Sequence, residues 1–145
     1  MWHPTRKAIH TPHAPAPPPF LSQAILANDK IVYCSGQVGV NPATGELIKG
    51  PIQARTKQIL TNLQSVLSAA GSSLADVVKV NIFLTDMNDF AAVNEVYKAV
   101  FGAACEGVMP ARTCVAVKSL PMGTDVEIEC SGLVREGHGK RGAKL

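Results

Sequence analysis

The chain has no histidine between residues 13 and 138. Its four histidines, His3, His10, His13 and His138, all fall near the two ends, so a serine-histidine-acid arrangement or a histidine base is not expected. The four cysteines, Cys34, Cys105, Cys114 and Cys130, form neither a C-x-x-C pair nor a zinc-like spacing, and no metal site is expected. Three of them lie in apolar strand patterns, where reduced cysteine behaves as a small hydrophobe, and a reducing compartment is the expectation. No segment approaches the ~18 consecutive apolar residues of a membrane span. Arg6 and Lys7 are not followed by an apolar run, so no secretory leader is expected. Charged residues make up only 17%. Much of the net +3 comes from the ends, at Arg6, Lys7, Lys140, Arg141 and Lys144. No basic face with interleaved aromatics accompanies them, so nucleic-acid binding is not expected. "SGQVGVNPATG" lacks the lysine and spacing of a phosphate loop, which excludes nucleotide binding of that type.

What is present is an ordinary globular balance. The 145 residues are 46% hydrophobic, enough for one domain with a core of its own. Residues 1–19, with "HAPAPPP" inside, read as a mostly extended proline-rich arm that pairs briefly at "RKAIH". Residues 20–133 form the domain, and 134–145 a basic tail. "SQAILAND" and "KIVYCSGQV" suggest a hairpin turning at Asn28-Asp29. Ile52, Ile59, Leu60, Leu63, Val66, Leu67 and Ala70 recur at three- and four-residue steps and predict a helix that Gly71 ends. "DVVKVNIFLTD" predicts a strand over 76–86. A second helix begins near Asp86 or Asn88, with Phe90, Val93, Tyr97, Val100 and Phe101 on its stripe. Two strands, "RTCVAVKSL" and "DVEIECSGLV", joined by the "PMGT" turn, close the chain. The order β-β-α-β-α-β-β, with an extra N-terminal strand if the arm pairs, suits an α+β layer of two helices on one face of a mixed sheet. Two helices cannot cover both faces, so the other is solvated or buried against another subunit.

Alternation along "DVEIECSG" places Val126, Ile128 and Cys130 on one face. Glu127, Glu129 and Ser131 share the other, with the two carboxylates roughly 7 Å apart. Arg112, after Pro110-Ala111, offers a planar fork suited to an acidic ligand; its competing partner is Glu127 or Glu129 in a plain ion pair. Cys114 should share a face with Arg112. In "YCSGQVGVNPATGE", Gly36 permits close approach to the backbone, and Ser35 and Gln37 supply polar groups. Asn94 follows stripe residue Val93 and is a surface group, a subunit contact or a cap. Each of these patterns also suits a solvated strand end or helix face.

"YCSGQVGVNPATGE", "VVKVNIFLTDMNDFAAVNEVY" and "PARTCVAV…VEIE" resemble, in that order and spacing, the RidA family of reactive-intermediate deaminases, also called YjgF or L-PSP. The resemblance covers about residues 20–133. It implies a chorismate-mutase-like subunit in a homotrimer whose sheets meet in a central barrel, with ligand clefts between subunits. The implied reaction is hydrolysis of 2-imino acids such as 2-iminobutanoate and 2-iminopropanoate, or their enamine tautomers, to 2-oxo acids and ammonia, with no cofactor. By position, Arg112 would grip the substrate carboxylate and Glu127 would position or activate the attacking water. Cys114, Ser35, Gly36 and Asn94 would line the site. Phe20 and Leu21 stand where the family commonly has a cleft tyrosine, so a phenolic hydroxyl is missing. The competing reading is a non-catalytic protein of the same fold holding a small carboxylate or acting in stress; ribonuclease or translation-inhibitor activity, attached to some relatives, fits the sequence less well. A cytoplasmic location is expected, with a peroxisomal one suggested by Ala143-Lys144-Leu145 and a mitochondrial one as a further alternative.

Overall fold

The computed structural model describes residues 4–136; the terminal Ala143-Lys144-Leu145 and the basic Lys140, Arg141 and Lys144 lie outside them. Six strands form one sheet in the order β1-β2-β3-β6-β4-β5, and two helices pack on one of its faces. β1 (Arg6–Ile9), β2 (Ala24–Ala27) and β3 (Ile31–Gln37) form an antiparallel meander. Asn28 and Asp29 turn the β2–β3 hairpin with φ of 52° and 56°, the left-handed pair that a two-residue turn demands and that these residue types tolerate. The extra N-terminal strand is therefore present, paired along all four of its residues.

The proline-rich stretch after β1 is anchored by one buried side chain. Gln23 Oε1 accepts from Thr11 N at 2.7 Å, and its Nε2 donates to the carbonyls of Thr11 and Pro15 at 3.0 and 2.9 Å. Prolines leave carbonyls without the paired N–H that a strand would offer. An amide with both donor and acceptor groups satisfies them instead, and Ala14 is pressed into the core.

α1 (Ile52–Ala69) buries Ile59, Leu60, Leu63, Val66 and Leu67 almost completely, the stripe its periodicity predicts, and Gly71 follows at φ 79°. β4 (Val77–Leu84) leads through Asp86, whose carboxylate accepts from Asn88 N at 2.8 Å, into α2 (Phe90–Ala104). α2 carries the chain across the sheet to β5 (Ala111–Ala116), which pairs parallel to β4, as a crossover through a helix requires. β5 is shorter than "RTCVAVKSL" suggested, because residues 117–120 leave the ladder before the Pro121 turn. β6 (Val126–Leu133) inserts between β3 and β4. It sends Val126, Ile128 and Cys130 into the core, while Glu127, Glu129 and Ser131 are half-buried on the opposite face.

That opposite face has no helix over it. It exposes Tyr33, Val115 and Leu133 by 42–50% between polar pairs, Asn81 with Glu129 and Lys79 with Thr113.

The turn before β6 is tied to α1 by an ion pair. Arg55 Nε and Nη2 donate to the two oxygens of Asp125 at 2.7 and 2.5 Å, and Nη1 donates to the Gly50 carbonyl at 2.7 Å. The hydrogen bonds from Arg55 hold the Asp125 carboxyl below the usual carboxylate range, against an opposing push from burial. A depressed acid contributes stability that is present above its unfolded pKa of about 4 and is lost as pH falls through the folded value. Asp125→Asn is expected to cost about 1–2 kcal/mol at pH 7 and to flatten the loss of urea resistance below about pH 4. Denaturation midpoints at pH 7 and pH 3 check both.

Candidate active site

Below the proline-rich stretch, β3 and the Pro121–Gly123 turn wall a cleft of about 540 Å³. Four of the sequence-derived candidates meet there: Phe20, Ser35, Gly36 and Glu127. Register explains the meeting. The β3–β6 ladder breaks between Cys34 and Gln37, and this bulge brings the Ser35-Gly36 backbone against the Glu127 side chain. A Cβ placed on Gly36 would lie 2.0 Å from Glu127 Oε1. The absent methyl is the room the carboxylate occupies.

Glu127 makes no hydrogen bond or ion pair to protein among the described residues. Burial pushes its carboxyl above the ordinary range, and the neighbouring negative charge of Glu129 adds to the shift. Ser35 Oγ donates to the Ser22 carbonyl at 2.6 Å, so towards the cleft its hydroxyl presents lone pairs rather than a proton. Apart from Gln23 and Gln37, the other walls are apolar. Phe20 is 83% exposed, and Leu21, Val38 and Met122 lie around it. Met122 holds a left-handed φ of 57°, uncommon for a non-glycine residue and costly unless the surroundings fix it.

The other three candidates gather elsewhere. β5 pairs with β4 so that Arg112 stands beside Val80 and Cys114 beside Ile82, both of them core residues. Arg112 and Cys114 therefore point to the helix face, as their shared parity requires. Arg112 Nη1 donates to Asn94 Oδ1 at 2.5 Å. Its guanidinium carbon lies 4.6 Å from the ring centre of Tyr97 and 5.5 Å from that of Phe90. Burial raises the Cys114 thiol and the charge of Arg112 partly opposes this, a direction that disfavours the nucleophilic thiolate.

The plain ion pair of Arg112 with Glu127 or Glu129 does not form. Glu127 is in register with Phe83 and Glu129 with Asn81, on the face opposite Arg112, with β4 between the two strands. Glu129 instead accepts from Asn81 at 2.8 Å. A single chain thus carries two separate groups, a carboxylate beside a largely apolar cleft and a guanidinium on the far side of the sheet. Among the described residues, no group of three or more His, Cys, Asp or Glu is placed to hold a metal ion, and no helix is long and apolar enough to cross a membrane.

Sequence reading passed over Tyr97 and Phe90 as core residues of the α2 stripe. The available signal was spacing, since both lie on the helix face of Asn94, four residues before it and three after. Leu21 lines the cleft beside Phe20, where the resemblance placed the pair, whereas Met122 gave no such signal, because only the folded loops bring it to the cleft.

The family model described as Endoribonuclease L-PSP matches residues 11–134. The chain is 49% identical to the mitochondrial protein mmf1 of Schizosaccharomyces pombe over 132 residues, which cover 89% of this chain and 76% of that protein. It is 44% identical to the 2-iminobutanoate/2-iminopropanoate deaminase of Rattus norvegicus over 124 residues, 86% of this chain and 87% of the relative. Among solved structures, E. coli TdcF with bound serine matches at a TM-score of 0.82 and 36% identity, covering 89% of this chain and 99% of that one. A match along nearly the whole domain, in sequence and in fold, leads to one conclusion: the chain belongs to the L-PSP family, the RidA/YjgF family that its motifs resemble.

Proposed function

We propose that the protein hydrolyses reactive 2-imino acids, 2-iminobutanoate and 2-iminopropanoate among them, to 2-oxo acids and ammonia, at sites shared between the subunits of a homotrimer. The observation that carries this reading is the division of one chemical kit between two faces of the sheet. Arg112, Asn94 and Cys114 lie on one side, and Ser35, Gly36 and Glu127 on the other. Neither half suffices. A guanidinium alone holds an acid without transforming it, and a carboxylate in an apolar cleft has nothing to hold a substrate's charge.

Assembly of three copies, with the uncovered faces of their sheets turned to a central barrel, supplies the missing half. It buries Tyr33, Val115 and Leu133 and offers the Arg112 group of one protomer to the Glu127 cleft of the next. There Arg112 forms the two-pronged contact to the carboxylate. Glu127 takes a proton from water as that water adds to the electrophilic C=N carbon, and the proton reaches nitrogen. The tetrahedral amino-alcohol then collapses to the 2-oxo acid and releases ammonia. The imine is already activated, so orientation and one acid-base group suffice. The apolar cleft accepts the substrate's side chain. The name of the rat relative supports the substrate class. An apolar cleft with a carboxylate at its floor does not suit a polyphosphate backbone, which weighs against ribonuclease action.

Three outcomes test the reading. With 2-iminobutanoate generated by a threonine dehydratase, wild-type protein accelerates its loss. Arg112→Ala is expected to lower kcat/KM at least thirtyfold, equivalent to about 2 kcal/mol. Arg112→Ala and Glu127→Gln, each strongly impaired alone, should reach about a quarter of wild-type activity when their subunits are exchanged one to one, as random mixing in a cyclic trimer dictates. Failure to regain activity would place each site within one subunit; wild type that binds 2-oxobutanoate without accelerating imine loss would favour the non-catalytic reading.

Gly36→Ala should leave a folded protein with kcat reduced at least tenfold, since the carboxylate must move to make room. Because Glu127 acts ionised and its carboxyl is raised, the acid limb of the kcat/KM profile should lie above the usual glutamate value of about 4.3. Glu127→Gln, measured at high enzyme concentration, should abolish that limb.

A further inference from the structure

We propose that the ring of Tyr97, assisted by Phe90, is the positioning element of the carboxylate grip, and that the Tyr97 hydroxyl takes no part in it. The inference rests on the reading of Arg112 as the substrate-carboxylate anchor. Arg112 stands on β5, an edge strand, where a long side chain would otherwise sample many rotamers and lose that freedom on binding. Phe90, Asn94 and Tyr97 recur on α2 at steps of four and three, so all three share one helix face. That face meets the guanidinium on two sides. The Tyr97 and Phe90 rings lie 4.6 and 5.5 Å from its carbon, inside cation–π range, and Asn94 takes one N–H. Rings fix the plane of the fork, and the amide fixes its rotation within that plane.

Two features make this more than chance packing. The partner that fixes the rotation is a neutral amide, so the positive charge and most of the five N–H donors remain for a ligand; an aspartate in its place would spend them. The Tyr97 ring is itself immobile, since the residue is 4% exposed and stacks on Phe101 with 4.6 Å between centres. Its hydroxyl is buried without a hydrogen-bond partner among the described residues. The face of the ring contacts the cation, and the phenol's polar end contributes nothing to the grip.

The test is steady-state kinetics on 2-iminobutanoate with the intact assembled protein. Tyr97→Leu is expected to raise KM about three- to tenfold with kcat within about twofold of wild type. Tyr97→Phe should restore KM to near the wild-type value. In an Arg112→Ala background, Tyr97→Leu should add no further loss, the signature of a residue acting through the arginine. The proposal is overturned by a folded Tyr97→Leu with unchanged KM, by Tyr97→Phe as impaired as the leucine variant, or by additive losses in the double variant. Should Tyr97→Leu not fold, Phe90→Leu, at a position 37% exposed, decides: a raised KM supports the shelf and an unchanged one overturns it. An Arg112→Ala protein with wild-type kinetics would instead sink the anchor reading itself, and the positioning role with it.

Discussion

The pairing register of β5, β4 and β6 governs where the protein's chemistry can be. Strand side chains alternate with a period of two, so Val80 beside both Arg112 and Cys130 assigns Arg112 to the helix side once Cys130 is in the core. The same parity sends Glu127 and Glu129 the other way. A slip of one residue would bury two carboxylates and expose the Ile128 row, so the hydrophobic pattern that stabilises the sheet also fixes the separation of the polar groups. Stability and site geometry are here one constraint.

That constraint leaves the sheet unequal. One face is closed by α1 and α2 over Ile59, Leu63, Val66 and Ile82. The other carries Tyr33, Val115 and Leu133 alongside Lys79, Asn81 and Glu129, a mixture that is neither a core nor an ordinary solvated surface. Lys79 and Asn81 are already paired across strands with Thr113 and Glu129, and that part of the face can meet a copy of itself without stranding many donors or acceptors. The proposed trimer follows from this incompleteness as much as from kinship.

Much of the fold was legible in the chain because its signals were redundant. The α1 stripe, the Gly71 stop, the Asn28-Asp29 turn and the alternation of Val126, Ile128 and Cys130 each combine a period with a residue type suited to one conformation. The candidate site was legible only in pieces. Ser35, Gly36 and Glu127 do converge, but parity along single strands cannot reveal register between strands, so an Arg112–Glu129 pair stayed open although Glu129 pairs with Asn81. Tyr97 was hidden by its own apolar spacing, and the role of Gln23 by the lack of any local pattern linking an amide to prolines eight to twelve residues upstream.

Gly36 and Glu127 have a consequence for anyone who would improve this protein. A carboxylate pressed into a partly dry recess, near another carboxylate and with no hydrogen-bond partner among the described residues, is where a stability-driven redesign would start repairing. Replacing the acid with an uncharged side chain would be rewarded with a tougher fold. Selection for robustness alone would therefore erase the group on which the proposed chemistry depends.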